Sequence, residues 1–279
     1  MEIDGRRGAR RRTRVRRRLA GAALGCTVLG LVGVVGAPPA AALSALSAAP
    51  ATEGRELFVG DWETGDFGQW ETCQTATINS GCGGFGGDRT MRIVTDDVRQ
   101  GRYAAEFSIG PGDVPDFGGG ERAEVRSSAP GAVVHEGDER WYQWSMKFPA
   151  DFPNPTGVWF IVLQWHAGSG SPPLAINISD SGTVDIGGDG LKGEPHPTIG
   201  PVHRGEWVDY TLHVKFSRDH DGGFVEAWEN DTQTVPRTNR ATMTSDENYL
   251  KQGIYRDTGP ATSVRIDGFR VTEPGTVLP

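Results

Sequence analysis

The sequence predicts an all-β sandwich, a fold in which two antiparallel sheets pack face to face. Short runs of β-branched and aromatic residues recur along the chain, and 40 glycines and 18 prolines supply turns between them. No long stretch places its apolar residues at the 3.6-residue period of an amphipathic helix. Many short strands separated by turn residues are typical of a sandwich or barrel.

The predicted strands follow one another in short steps along the chain. In order they are 58–59, 91–94, 103–107, 141–148, 158–166, 174–178, 207–216, 224–228 and 263–271. Every second residue of 141–148, starting from Tyr142, is apolar, so we expect that face in the core. The same alternation in 158–166 groups Trp159 with Trp165, and we expect Trp165 in the core rather than stacked on a sugar.

The first 42 residues are predicted to be a secretory signal peptide. Residues 6–18 contain nine arginines, residues 19–36 are apolar, and residues 37–42 consist of small residues and prolines. A retained membrane anchor and a lipid on Cys26 are the alternatives. The glycine and alanine content argues against the anchor, and Cys26 lies in mid-run, an awkward place for a lipid. Residues 43–56 are expected to form a flexible leader, and 57–279 a single domain.

Removing the predicted signal changes the charge of the protein. Residues 1–42 hold nine of the 28 basic residues and two of the 36 acidic ones, which leaves 19 and 34 and a net charge near −15. So acidic a surface argues against nucleic acid and anionic membranes as partners. An acidic substrate would therefore need a local cluster of cations. We expect a secreted, extracellular monomer with no membrane partner once the signal is cleaved.

Two cysteines follow the predicted signal, Cys73 and Cys82, in a glycine-rich segment. In an exported protein such a pair most simply forms a disulfide. A metal site would need further ligands nearby, and the segment has none. We therefore predict a structural disulfide.

Three short strings carry the candidate chemistry: ERAEV at 121–125, QWH at 164–166 and YLKQGIYR at 249–256. Each is predicted to be a strand, on which residues two apart share a face. That rule groups Arg122 with Glu124 and Arg126, Gln164 with His166, and Tyr249 with Lys251 and Tyr255. Side by side on one sheet, these residues would form a floor that suits an acidic sugar chain.

The residue types in this floor fit β-elimination in a uronic-acid polymer. The C6 carboxylate must be neutralised, a base must take the C5 proton, and an acid must protonate the oxygen that leaves C4. Arg122 can clamp a carboxylate through two parallel hydrogen bonds, and Gln164 can donate an amide hydrogen to it. His166 is easily tuned near neutral pH, and Tyr255 could serve as acid, or as base beside cations such as Lys251.

Each string alone also has an ordinary explanation. Arg122 and Glu124 could pair on a solvated face, Gln164 and His166 could be surface residues, and Tyr255 could be packing. The joint occurrence of three strings with consistent faces favours a site.

The three strings resemble the signature of alginate lyases with a β-jelly-roll: an Arg-x-Glu strand, a Gln-x-His strand and a Tyr-x-Lys-x-Gly-x-Tyr strand. The surrounding sequence is similar to the heparin lyase I-like and glucuronan lyase group, most clearly at 60–67, 98–104, 141–145 and 251–256. The similarity spans roughly residues 57–273. It implies a concanavalin-like β-jelly-roll of two antiparallel sheets, whose concave face forms the cleft, and endolytic β-elimination of a uronate polysaccharide.

The resemblance also implies roles for individual residues. Arg122 and Gln164 would neutralise the carboxylate, and His166 and Tyr255 would share the proton transfers, with no cofactor required for catalysis. The residues expected to bind the substrate are Lys251, Tyr249, Arg126, Asn177 and Arg256. A structural calcium away from the cleft is also implied, with Glu63 and Asp267 as ligands, although both could be ordinary turn and strand-end carboxylates.

Departures from the alginate lyase pattern bear on the substrate. Asp257 stands where those enzymes usually have Gln, and Val125 where Leu is more usual, which favours glucuronan. An alginate or heparin-type lyase and a non-catalytic carbohydrate-binding module remain as alternatives. A glycoside hydrolase is disfavoured because it needs two carboxylates across the cleft, and Glu121 and Glu124 are three apart on a strand.

Overall fold

Seventeen β-strands and no helix make up residues 54–275, the part of the protein that the computed structural model describes. The predicted signal peptide and almost all of the predicted leader lie outside these residues, as do 276–279. The described residues belong to one compact unit, Ala45–Pro279. Among them, no helix has the length and apolar character needed to cross a membrane.

The strands are β1 Glu56–Gly60, β2 Thr72–Thr75, β3 Asn79–Gly81, β4 Met91–Val94, β5 Ala104–Ile109, β6 Glu121–Ser127, β7 Val134–His135, β8 Glu139–Lys147, β9 Phe160–His166, β10 Leu174–Ile178, β11 Thr183–Gly187, β12 Thr198–Pro201, β13 Trp207–Lys215, β14 Phe224–Glu229, β15 Thr232–Asn239, β16 Glu247–Arg256 and β17 Thr262–Thr272.

The strands form two antiparallel sheets. One has eight strands in the order β15-β14-β13-β8-β17-β5-β4, with β1 added against β17. The other has nine strands in the order β12-β11-β10-β9-β16-β6-β2-β3, with β7 added against β16. About half of the paired strands are not consecutive in sequence, as in a jelly-roll. The predicted all-β sandwich of two antiparallel sheets is confirmed.

Aromatic side chains fill much of the core. Trp62 and Trp70 stack with ring centroids 5.7 Å apart, and Trp165 meets Tyr142 edge to face at 4.8 Å. Trp165 is fully buried, as its alternation predicts. Each such ring buries about 150–250 Å² of surface, so these contacts contribute heavily to the stability of the fold.

The predicted strands match observed ones to within a few residues, but several strands are missed. The missed strands are β2, β3, β7, β11, β12 and β15. They are short, or they lie toward the sheet edges and carry little apolar alternation. In β15, for example, only Val235 is buried, and the strand contains Pro236, which is typical of an edge. Such strands are held by their neighbours more than by their own pattern.

The disulfide between Cys73 and Cys82 is confirmed. It ties β2 to the residue just after β3, and both sulfur-bearing side chains are buried. Because β2 pairs with β6, the disulfide secures the edge of the sheet beside the strand that carries Arg122.

Three strands that carry the candidate chemistry lie next to one another at the centre of the nine-stranded sheet. β16 lies between β9 and β6, so the three strings of the sequence become neighbours. The register places Tyr249 opposite His166, Lys251 opposite Gln164 and Arg126, Gly253 opposite Glu124, and Tyr255 opposite Arg122.

The pairing of β9 with both of its neighbours is irregular around Val162. Opposite β16 the partners of Leu163 and Ile161 are Gln252 and Tyr255, so the extra residue is on β16. Opposite β10 they are Ile176 and Asn177, so β9 carries the extra residue as a β-bulge. A bulge of this kind reverses which residues face outward. As a result, Phe160 and Val162 lie in the core together with Leu163.

Candidate active site

The candidate residues share the outer face of the nine-stranded sheet. Their sequence neighbours point the other way, into the core: Ala123, Val125, Trp165, Leu250 and Ile254. Because side chains alternate along a strand, the residues between them lie on the opposite face. These are Arg122, Glu124 and Arg126 of β6, Gln164 and His166 of β9, and Tyr249, Lys251 and Tyr255 of β16. The sheet therefore brings together in one place all four predicted catalytic side chains.

Glu124 lies at the centre of this face and accepts three hydrogen bonds. Its Oε2 accepts from Nη1 of Arg122 at 2.8 Å and from Nζ of Lys251 at 2.5 Å. Its Oε1 accepts from Nε2 of Gln164 at 2.5 Å. The side chain is only 2 % exposed, so its charge is balanced by these partners rather than by water. Sequence reasoning weighs Glu124 only as a surface partner of Arg122, because the contacts to two other strands are not visible in the sequence.

Tyr255 is held between a cation and an indole ring. The guanidinium carbon of Arg122 lies 3.8 Å from the centroid of the Tyr255 ring, a close cation–π contact. The ring of Trp159 lies 4.3 Å away, centroid to centroid. The expected grouping of Trp159 with Trp165 is therefore wrong, because the bulge in β9 turns Trp159 toward the site. A β-bulge leaves no clear mark in the alternation of one strand.

His166 is fixed through one nitrogen. Its Nδ1 accepts a hydrogen bond from the backbone N–H of Gly168 at 2.9 Å, and the Tyr249 hydroxyl lies 3.1 Å from the same nitrogen. Burial lowers the pKa of His166, the positive charge of Lys251 lowers it further, and Glu124 acts in the opposite direction. The ring is therefore neutral at pH 7. A backbone N–H can only donate, so the proton of the neutral ring is on Nε2.

Tyr249 and Arg126 extend the floor beyond His166. The guanidinium carbon of Arg126 lies 4.2 Å from the Tyr249 ring. Burial raises the pKa of Tyr249, and the charge of Arg126 partly offsets this effect. Tyr249 is thus a neutral phenol, placed to orient His166 or to contact a sugar.

Lys251 is a deeply buried member of the floor. Its side chain is 4 % exposed and its ammonium group is bonded to Glu124. Burial lowers the pKa of Lys251 to about 8, and the attraction of Glu124 limits the fall. Although Lys251 is on the expected face, it is placed to hold Glu124 and to add positive charge, and little of it can meet a substrate.

The two other residues expected to bind substrate are placed differently. Asn177 pairs with Ile161 across the bulge and is half-buried on the site face. Arg256 lies on the opposite face of β16, where it is buried and forms an ion pair with Glu121 at 2.7 Å. The expectation that Arg256 contacts the substrate is therefore corrected: a guanidinium inside the sandwich needs the buried carboxylate as its partner.

A glycine-rich loop before β6 borders the site. Phe117 is half exposed, and its ring centroid lies 5.4 Å from the guanidinium carbon of Arg122. A Cβ placed on Gly119 would lie 3.1 Å from both Nη2 of Arg122 and the Tyr255 hydroxyl, so these two atoms face the same point. Sequence reasoning did not assign this loop, although the run of glycines at 118–120 beside an aromatic residue could have indicated it.

Glu63 and Asp267, the expected calcium ligands, lie away from this face. Glu63 accepts hydrogen bonds from the backbone of Arg102 and Tyr103, and Oδ2 of Asp267 accepts from that of Arg99 and Gln100. Oδ1 of Asp267 is buried without a hydrogen-bond partner. Burial raises the pKa of Asp267, and the charge of Glu63 adds to this effect. A spare carboxylate oxygen fits a hard cation, but residues 54–275 contain no cluster of three or more His, Cys, Asp or Glu suited to a metal.

Comparison with known proteins decides the family. The family model for polysaccharide lyases matches residues 62–271, which is most of the described domain. The chain belongs to the polysaccharide lyase family. No curated protein is similar enough in sequence to count as a relative. The expectation of a polysaccharide lyase is confirmed, and the alternatives of a hydrolase and a non-catalytic binding module give way to it.

Solved structures show how widely the fold of this lyase is shared. The endo-β-1,4-glucuronan lyase of the fungus Trichoderma reesei is 17% identical, with 78% of this chain and 96% of that one covered and a TM-score of 0.56. The family 7 alginate lyase A1-II′ is 16% identical, with 78% and 98% covered and a TM-score of 0.55. The catalytic domain of a family 131 glycoside hydrolase from Coprinopsis cinerea is 14% identical, with 81% and 98% covered and a TM-score of 0.55.

The assignment of the His166 proton can be tested by NMR. With the imidazole nitrogens labelled by ¹⁵N, we expect the signals of a neutral ring protonated on Nε2 at pH 7. The titration midpoint should lie below the ordinary histidine value of about 6.5, because burial and nearby cations disfavour the imidazolium. His135, which is exposed and near Glu247, serves as an internal control. A His166 ring protonated on Nδ1 at pH 7 would contradict the assignment.

Proposed function

We propose that this protein is a secreted, endolytic lyase that cleaves glucuronan by β-elimination. The observation that carries the proposal is the convergence of Arg122, Gln164, His166 and Tyr255 on one face of three adjacent strands. Two further parts of the proposal are export, which depends on the predicted signal at residues 1–42, and a monomeric state. An alginate or heparin-type lyase is the alternative on the same site.

Arg122 and Gln164 would bind the C6 carboxylate of the sugar. Glu124 occupies Nη1 of Arg122 and one hydrogen of the Gln164 amide, so Nη2 of Arg122 and the second amide hydrogen are left for the substrate. Because Gln164 is fully buried, its amide would reach the carboxylate only if a side chain that covers it moved. Charge-assisted hydrogen bonds of this kind strengthen as the enolate-like charge develops. Binding that improves toward the transition state is what accelerates the reaction.

His166 would act as a hydrogen-bond donor rather than as the base. With Nδ1 engaged by the Gly168 N–H, Nε2 carries the proton and has no lone pair for the C5 hydrogen. The neutral ring can still donate its Nε2 hydrogen to the substrate. This leaves Tyr255 as the group that exchanges protons.

Tyr255 would serve first as base and then as acid. In the deprotonated form that this step requires, its oxygen takes the C5 proton; the guanidinium carbon of Arg122 lies 3.8 Å and Nζ of Lys251 5.6 Å from the ring centroid. The electron pair of the C5–H bond forms the C4–C5 double bond, and the C4–O bond breaks. The departing oxygen then takes the proton back from the Tyr255 hydroxyl, so that the residue ends as it began.

One residue can perform both transfers only if the C5 hydrogen and the C4 oxygen lie on the same face of the ring. Glucuronate and mannuronate have this arrangement, whereas guluronate has the two groups on opposite faces. The departures from the alginate lyase pattern at Val125 and Asp257 further favour glucuronan over alginate.

The substrate is tested on a panel of defined polyuronates. We expect a rise in ultraviolet absorbance, from the new double bond, on glucuronan, with a weaker rise on polymannuronate and little on polyguluronate. Faster cleavage of polyguluronate would place the base on the other side of the ring and contradict the assignment to Tyr255. If absorbance did not rise on glucuronan, alginate or heparin, the proposal of a uronate substrate would be rejected.

Tyr255→Phe tests the proton transfers. Since general acid–base catalysis contributes roughly 10²–10⁴-fold, we expect a loss of about 1,000-fold in kcat with little change in substrate affinity. Initial rates give the first quantity, and calorimetry with a glucuronan oligosaccharide gives the second. Tyr103→Phe, a phenol removed far from the site, is the matched control. Turnover at the control rate in Tyr255→Phe would require another acid.

We also propose a structural calcium ion at Glu63 and Asp267, with backbone carbonyls or water completing its shell. Calcium that binds only the folded protein stabilises it by about 2.7 kcal/mol at 100 times its dissociation constant. We therefore expect a chelator to lower Tm by several degrees and added calcium to restore it. Asp267→Asn, which weakens the site, should abolish this response. A Tm that is indifferent to chelator and calcium would contradict the proposal.

A further inference from the structure

The buried carboxylate of Glu124 has a role that neither proton transfer nor substrate binding explains. Its side chain is almost completely shielded from solvent, and the hydrogen bonds it accepts come from side chains of the proposed site. We infer that Glu124 is a positioning residue, which aligns Arg122 and Gln164 for the substrate carboxylate and keeps Lys251 charged beneath them. The inference rests on the proposed lyase function.

The backbone allows Glu124 to reach across a whole strand. Glu124 is on β6 and Gln164 is on β9, and β16 lies between them. The residue of β16 opposite Glu124 is Gly253. Gly253 has φ of 132°, and a Cβ there would lie 2.2 Å from the carbonyl oxygen of Ala123 and 2.9 Å from Cδ1 of the core residue Phe107. A glycine is therefore needed for the backbone at this point, and with it the strand between Glu124 and Gln164 keeps its close pairing to β6.

The same carboxylate fixes the direction in which its neighbours donate. The bond from Gln164 Nε2 sets the amide orientation, and the bond from Arg122 Nη1 leaves Nη2 near Tyr255. Without Glu124, Arg122, Lys251 and Arg126 would be close cations with no counter-charge among them. Repulsion would push their side chains apart, and the desolvated Lys251 would lose its proton most easily.

A buried carboxylate could instead serve stability alone, and the chain offers a matched comparison. Glu121 is on the same strand, is also almost fully buried, and is bonded to a single cation, Arg256, at 2.7 Å. It lies on the opposite face, inside the sandwich. Glu121→Gln and Glu124→Gln therefore make the same chemical change in the same strand, and only the second change touches the site.

The experiment compares Glu124→Gln, Glu121→Gln and wild type on whichever polyuronate the wild type cleaves. Since misplacement by about 1 Å costs roughly 100-fold in rate, we expect kcat of Glu124→Gln to fall by about that factor, with a smaller change in KM. Glu121→Gln should lower Tm and leave kcat near the wild-type value. Circular dichroism and Tm establish that each variant is folded.

The pH profile supplies a measurement that a structural role would not change. The titratable and charged groups that surround Lys251 are Glu124, Arg122, Arg126, His166, Tyr249 and Tyr255. Glu124 raises the pKa of Lys251, so the neutral side chain in Glu124→Gln should let Lys251 lose its proton at lower pH. We therefore expect the alkaline limb of the kcat profile to move to lower pH in that variant. In Glu121→Gln the limb should stay in place.

Glu124→Asp keeps the charge but shortens the side chain by one methylene. We expect it to fold, to keep the wild-type alkaline limb and to have a reduced kcat, and it decides the question if Glu124→Gln does not fold. The inference would be overturned if Glu124→Asp or folded Glu124→Gln had the kcat of the wild type. It would also be overturned if Glu121→Gln lost as much kcat as Glu124→Gln. Absence of lyase activity in the wild type would instead overturn the proposed function.

Discussion

The buried carboxylate of Glu124 is the constraint on which the site depends. Two cations and an amide from three strands meet on it, out of contact with water. Removing charges from water is costly unless they are paired, so these groups hold one another in a single arrangement. The antiparallel register of β6, β16 and β9 brings them within reach.

The charge of the whole protein and the charge of the site have opposite signs. The chain is acidic, with a formal net charge of −8 that becomes more negative without residues 1–42. The floor, by contrast, gathers Arg122, Arg126 and Lys251 around one carboxylate. The acidic polymer proposed as substrate would therefore be repelled by most of the surface and attracted at one place, which would favour binding in the register that the proposed chemistry requires.

The fold by itself does not select the chemistry. A glycoside hydrolase domain and two lyases share this sandwich at similar TM-scores, and each is less than 20% identical to this chain. What separates the reactions is the set of side chains on the outer face. Here neither carboxylate of β6 is free to serve as a hydrolase catalyst, because Glu124 is engaged by three donors and Glu121 faces the core.

The sequence by itself determined the all-β class, the disulfide partners, and which side chains of each string share a face, because alternation and cysteine count are local properties. It also placed Trp165 in the core. Only the tertiary structure decided the rest. The bulge in β9 places Trp159 against Tyr255, and the ion pair with Glu121 of β6 holds Arg256 in the core. The hydrogen bond from the Gly168 N–H determines which nitrogen of His166 carries the proton. Each of these depends on contacts between distant segments or on backbone geometry, and no periodicity within one strand encodes them.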